Sequence, residues 1–231
     1  MKNIRLLLLF ILSFLCSSNM FGQLQEKQKT HKITLLGLGD SITEGGGESH
    51  SYLFPLWEKL NSNGYQVDFI GPRQQKNPVA QLNHAGYGGK NVEFLDANVD
   101  SIYQQYPADI VLIHAGHNHF VEEKPIAGMI KSYKYIVRKI QAINPDAIVV
   151  IAQVMNSGKL PKSSYIPQLN KEIALMVRRL NDPRIVLVDQ SHLFNWQQHT
   201  IQDKVHPNEA GANLMADVWF DALVKILPTL K

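Results

Sequence analysis

Apolar positions along the 231-residue chain follow two alternating patterns. Short unbroken runs rich in Val and Ile predict strands at Ile33 to Leu38, Gln66 to Ile70, Asp109 to His114, Ala147 to Gln153 and Ile185 to Val188. Between them, apolar residues recur at helical spacing over Tyr52 to Asn63, Val92 to Gln105, Ile126 to Asn144, Ser163 to Leu180 and Glu209 to Leu227. Asn63-Gly64, Pro145 and Pro183 stand where helices must end. Strands that are apolar at every position are buried on both faces, so the alternation predicts an α/β domain whose parallel sheet is covered on each side. No repeat or low-complexity linker divides residues 23–231, which read as one domain.

The first 22 residues break the pattern. Lys2 and Arg5 form a basic head, Leu6 to Leu15 is almost wholly apolar, and small or polar residues follow through Ser17, Ser18 and Gly22. The apolar run is too short to span a bilayer, so this is a secretory signal peptide, and the expected location is secreted or periplasmic. No stable membrane insertion is expected after cleavage. Cys16 is the chain's one cysteine and lies in the leader, which excludes disulfides and Cys-based metal sites from the mature protein. The formal charge of +3 includes Lys2 and Arg5, so the mature chain is near neutral and carries no electrostatic case for nucleic acid. With 45% hydrophobic residues it can bury a core unaided. Nothing in it speaks to oligomeric state.

In parallel sheets, ligands sit beyond the carboxyl ends of the strands. Ser41, in GLGDSITEGGG, follows the first strand; His114-Ala-Gly-His-Asn-His119 follows the third; Asp203-Lys-Val-His206-Pro follows the fifth. Each has a plain reading and a chemical one. Asp40 or Ser41 caps a turn or helix, or Ser41 is a nucleophile. Asp203 caps a turn, or it orients the Nδ1 of His206 so that Nε2 faces out as a base for a serine that is hardly nucleophilic alone. Gly116 and Asn118 build a turn, or the Asn118 amide donates to an oxyanion. Three histidines in six residues also fit a metal site, although the glycine-serine loop has no place in that picture. A fourth stretch, Asn83-His-Ala-Gly-Tyr-Gly-Gly89, reads as a loop opening the helix from Val92.

Together these blocks resemble the SGNH, or GDSL, hydrolase superfamily, whose motifs carry a serine, a glycine, an asparagine and a histidine in that order. Here they read GDSIT, HAGYGG, GHNH and DKVHP, across positions 39–207. Within the superfamily, SYLFPLWEKL, GYQVDFIGP and NHAGYGG are similar to the acetylxylan-esterase-like carbohydrate esterase family three, with its Tyr-x-x-Pro-Leu helix, VDFVG strand and HEGHSG loop. The resemblance implies a three-layer, flavodoxin-like α/β/α sandwich with a five-stranded parallel sheet. It also implies ester hydrolysis without metal or cofactor. Ser41 would be the nucleophile, His206 the base and Asp203 its orienting carboxylate. The oxyanion hole would be the N–H groups of Ser41 and Gly89 with the Asn118 side chain. The pattern departs at His119, where the family usually has an aspartate that braces the asparagine loop.

The expected function is therefore a secreted serine esterase removing acetyl or other short acyl groups from carbohydrate. Rivals are a lipase or lysophospholipase of the same superfamily, a non-catalytic carbohydrate-binding relic, and a metal-dependent phosphoesterase using Asp40 and the histidines. Trp196, with His192 and His199, and His117 beside the asparagine are the candidates for sugar contact, since an aromatic face suits a sugar ring.

Overall fold

The computed structural model describes residues 32–75 and 79–230. The signal peptide expected at residues 1–22 lies outside the described residues. All five expected strands form: β1 (Ile33–Gly39), β2 (Val67–Phe69), β5 (Ile110–His114), β6 (Ile148–Gln153) and β7 (Ile185–Asp189). They pair in parallel, β2 and β5 flanking β1, with β6 and β7 continuing beyond β5.

Two short strands enlarge the expected five-stranded sheet to seven: β3 (Arg73–Gln75) and β4 (Leu82–Gly86). The segment read as an open loop at Asn83 to Gly86 is therefore strand β4. It pairs in parallel with the end of β1 through Leu38 and Gly39, and antiparallel with β3 at the edge. Along one side of β1, β2 takes the first half of the ladder and β4 takes the last residues.

Side chains alternate across the strands, and the core divides accordingly. Leu35, Ile110, Leu112, Val150 and Ala152 face α2 (Leu53–Ser62) and α7 (Glu209–Ile226). Leu36, Leu38, Val111, Ile113, Val149 and Ile151 face α3 (Val92–Gln105), α4 (Ile126–Ile143) and α5 (Ile166–Leu180). Each of these buried aliphatic side chains contributes about 1.5 to 3 kcal/mol. That is why strands with no polar face are stable only as the middle of three layers. Helix starts follow local chemistry: Asn91 accepts from the Phe94 N–H to cap α3, and Asn208 accepts from the Gly211 N–H to cap α7.

Gly39 ends β1 because nothing larger fits. A Cβ there would overlap the Thr43 Oγ1 and the carbonyl oxygen of His114. Gly39→Ala is expected to destabilise the fold by about 3 kcal/mol, as over-packing against rigid backbone does. Thermal unfolding of purified variants checks this, and an unchanged Tm would show that β1 and β5 can separate at no cost.

Candidate active site

At the end of β1 the chain turns into α1 (Ser41–Glu44), with Asp40 as its N-cap. Asp40 is fully buried, and its two carboxylate oxygens fasten different loops. Oδ1 accepts from the Ile42 N–H at 3.0 Å, and Oδ2 from the Gly116 N–H at 3.4 Å. The capping alternative is thus true of Asp40, and it leaves Ser41 as the first residue of the turn with its side chain free for other partners.

That partner is His206, from the loop between α6 (Trp196–His199) and α7. Its Nε2 lies 2.7 Å from the Ser41 Oγ. Its Nδ1 hydrogen-bonds Asp203 Oδ2, while Asp203 Oδ1 accepts the Val205 and His206 N–H groups, both at 2.9 Å. Asp203 therefore caps its turn and holds the ring at once. The loop is closed on itself by the Ile201 N–H donating to the His206 carbonyl and by a bridge between Thr200 and Pro207. Burial alone would raise the Asp203 carboxyl, but hydrogen bonds from the His206 ring and from the two amides outweigh it and hold Asp203 below the usual carboxylate value. An ionised Asp203 fixes the tautomer in which Nδ1 donates to it and Nε2 can accept the Ser41 proton.

Two further loops border Ser41. In the first, the amides of Gly86, Tyr87, Gly88 and Lys90 are engaged by His84 Nδ1, Gly39 O, Glu44 Oε2 and Tyr87 O, which leaves the Gly89 N–H. Gly89 has φ +72°, a left-handed conformation natural to glycine, and a side chain there would meet nothing within 4 Å. In the second loop, Asn118 donates one N–H of its amide to Lys90 O at 2.9 Å, so the second remains to be directed elsewhere. The Ser41 N–H sits at the start of α1, where no intrahelical acceptor exists.

The histidines of the second loop part company. His114 and His117 are buried and stacked, with ring centroids 5.8 Å apart. His117 donates through Nε2 to the Met155 carbonyl at 2.9 Å, and its Nδ1 is 4.0 Å from Asp40 Oδ2. Burial lowers both rings below the ordinary histidine range, His114 far below. His117, a candidate for sugar contact, is turned inward behind Asp40. His119 points the other way, between Glu93 and Glu123.

Some residues of the site carry no signal in the sequence. Glu44, one turn after Ser41, accepts from the Gly88 N–H at 2.7 Å and pairs with Arg73, tying α1 to the Gly89 loop. Tyr165, from the residue before α5, donates to the Gly116 carbonyl at 2.7 Å. Only the position of Glu44 in TEGGG, beside the serine turn, could have pointed to it.

Residues 38–214 match the family model of the GDSL-like lipase/acylhydrolases. No curated protein sequence matches the chain. Among solved structures, a carbohydrate esterase family 3 protein from Talaromyces cellulolyticus is 23% identical, with a TM-score of 0.76, covering 86% of this chain and 100% of its own. A family 3 carbohydrate esterase from Clostridium thermocellum is 22% identical, with a TM-score of 0.76 and coverage of 86% and 98%. A lipase/acylhydrolase from Enterococcus faecalis is 15% identical, with a TM-score of 0.67 and coverage of 83% and 95%. The same motifs that bring Ser41, Asn118 and His206 to one rim fall within the matched span, and the chain belongs to the GDSL-like lipase/acylhydrolase family, as an ester hydrolase of that family.

Proposed function

We propose that this chain is a secreted serine esterase that removes acetyl groups from carbohydrate. The observation that carries the chemistry is the hydrogen-bonded series Ser41, His206, Asp203. Ser41 Oγ attacks the ester carbonyl while His206 Nε2 takes its proton; the oxyanion is held by the N–H groups of Ser41 and Gly89 and by Asn118. Collapse expels the sugar hydroxyl, protonated by His206, and leaves an acetyl-enzyme. Water activated by the same histidine then releases acetate. No step calls for a metal or cofactor.

Carbohydrate as the alcohol partner is supported by two clefts that border the loops of the triad, the first of them mainly polar. One, of about 520 Å³, is lined by Glu44, Ser49, His50, Glu58, Arg73 and Asn213, and His50 donates to the carbonyl of Pro207, next to His206. The other, of about 500 Å³, has a mixed lining, with Asn156, Ser157 and Asn195 beside Leu160, Phe194 and Trp196. Ser157 and Gly158 donate to the carbonyl of Lys204, next to Asp203. The half-buried Trp196 ring lines this second cleft, where it can stack on a sugar. An apolar cavity of about 620 Å³ lies between α4 and α5; like the two clefts, it has none of Ser41, Asp203 and His206 in its lining. The likeness of fold to an acetyl esterase and the leader expected from the sequence of residues 1–22 agree with an extracellular glycan as target.

Acetate release from a panel of acetylated glycans tests the substrate class. In a p-nitrophenyl ester series corrected for intrinsic lability, kcat/KM is expected to fall from acetate through butyrate to octanoate. Each buried methylene would favour binding by about 0.8 kcal/mol if an acyl tunnel received it. A maximum at octanoate would favour a lipase and overturn the carbohydrate reading.

A further inference from the structure

An oxyanion held jointly by Gly89 and Asn118 requires two separate loops to keep their spacing. One tie is the Asn118 amide on Lys90 O. The second runs through the next residue. His119 Nδ1 lies 2.5 Å from Glu123 Oε2, and its Nε2 lies 2.9 Å from Glu93 Oε2. An ionised carboxylate only accepts hydrogen bonds, so both contacts are satisfied together when both ring nitrogens carry hydrogen. A neutral ring satisfies one and turns a lone pair on the other.

Both carboxylates are placed for this task. Glu93 is in the first turn of α3, directly after the Gly89 loop, and α4 makes room for it with Gly128, where a Cβ would come within 3.0 Å of Glu93 Oε1. Glu123 sits in the 3-10 turn of Val121–Glu123 that follows the Asn118 loop. The other ionisable groups facing the ring and its carboxylates are Lys162, whose charge acts on Glu123, and Tyr165, whose hydroxyl lies 3.5 Å from the His119 carbonyl.

We propose that His119 is a positioning residue, an imidazolium clasp that holds the Asn118 loop against the Gly89 loop and so keeps the oxyanion hole assembled. The inference rests on the esterase reading above. Burial works against the charged ring, but hydrogen bonds and charge from Glu123 and Glu93 outweigh it and raise His119 above its ordinary value of 6.5. A raised folded-state value means that the clasp's contribution is fully present below 6.5 and is lost as pH rises through that raised value. The turnover rate then falls on the alkaline side, a limb that a Ser-His-Asp mechanism alone does not produce there.

The test compares wild type, Glu93→Gln, Glu123→Gln and His119→Ala by kcat and KM for p-nitrophenyl acetate from about pH 6 to about pH 10, with an NMR titration of the His119 ring. In wild type the alkaline limb of kcat and the ring titration are expected to share a midpoint above the ordinary histidine value. Each glutamine variant is expected to move both downward together. His119→Ala is expected to lower kcat roughly tenfold to a hundredfold with KM little changed, as small misplacement of a reacting geometry does, and to abolish the limb. Should His119→Ala fail to fold, the glutamine variants decide the matter, since Glu123 is half exposed and each change keeps shape. An ordinary ring midpoint in wild type overturns the clasp whatever the activity. So does a limb that stays in place when the ring midpoint moves. Absence of ester hydrolysis in wild type, with the raised midpoint intact, counts against the esterase reading instead.

Discussion

Ser41→Ala is expected to lower kcat on p-nitrophenyl acetate by roughly 10⁴-fold or more with KM little changed, leaving a residue of activity from the oxyanion donors and binding alone. The size follows from position. Ser41 Oγ lies 2.7 Å from a base whose second nitrogen is held by a carboxylate. Water replacing it would have neither the orientation nor the covalent intermediate. Nor does the loss come from unfolding: the backbone turn is kept by Asp40 accepting from Ile42, not by the serine side chain. Thermal unfolding should therefore give a Tm near that of wild type. His206→Ala should be about as damaging, because the two act as a unit, whereas Asp203→Asn should be milder if the carboxylate only orients and stabilises the ring. Activity of Ser41→Ala close to that of wild type would remove the mechanism altogether.

Asn118→Ala should be the next largest effect, at about 2 to 4 kcal/mol of transition-state stabilisation. The donor acts on charge that exists only after the carbonyl has been attacked, so the loss is expected in kcat and not in KM. The substitution also removes the tie to Lys90 O, and some of the cost will come through movement of the Gly89 loop. Asn118→Asp loses the donation to the oxyanion and the donation to Lys90 O together. It keeps the size and places an acceptor where a donor is needed, so it should be at least as damaging as alanine if the oxyanion is what the amide serves. A silent Asn118→Ala would make this loop a structural turn, with the hole built from backbone amides alone.

What could be read from the sequence divides along a physical line. Strands such as IVLIH and IVVIAQ are apolar throughout because both faces are covered, and that pattern is hard to confuse with anything else of the same length. Asn91 and Asn208 stand directly ahead of α3 and α7, where capping residues belong. Strands β3 and β4 were not legible: RQQ is three polar residues at the sheet edge, and LNHAG is short and carries the Asn and Gly of a turn. At the rim, Ser41, Asp203 and His206 were legible as types at strand ends, and the structure brings them into hydrogen-bond contact. The direction of a loop side chain was not. His117 and His119 are two residues apart in one loop, yet one is buried against Met155 O and the other meets two glutamates. Nothing in the order of residues announces that Glu93, at the start of a helix far upstream, will be one of them. The aspartate expected in place of His119 would carry charge of the opposite sign, so the flanking glutamates are the structural counterpart of that exchange.

The mechanism requires that Ser41 is the group that becomes acylated. Incubating the mature protein with a fluorophosphonate and mapping the adduct by peptide mass spectrometry addresses this directly. One adduct per chain on Ser41, formed in step with loss of acetyl esterase activity and greatly slowed in His206→Ala, is the expected result. Ester hydrolysis that persists in a protein fully labelled at Ser41, or inactivation with Ser41 unmodified, would contradict it.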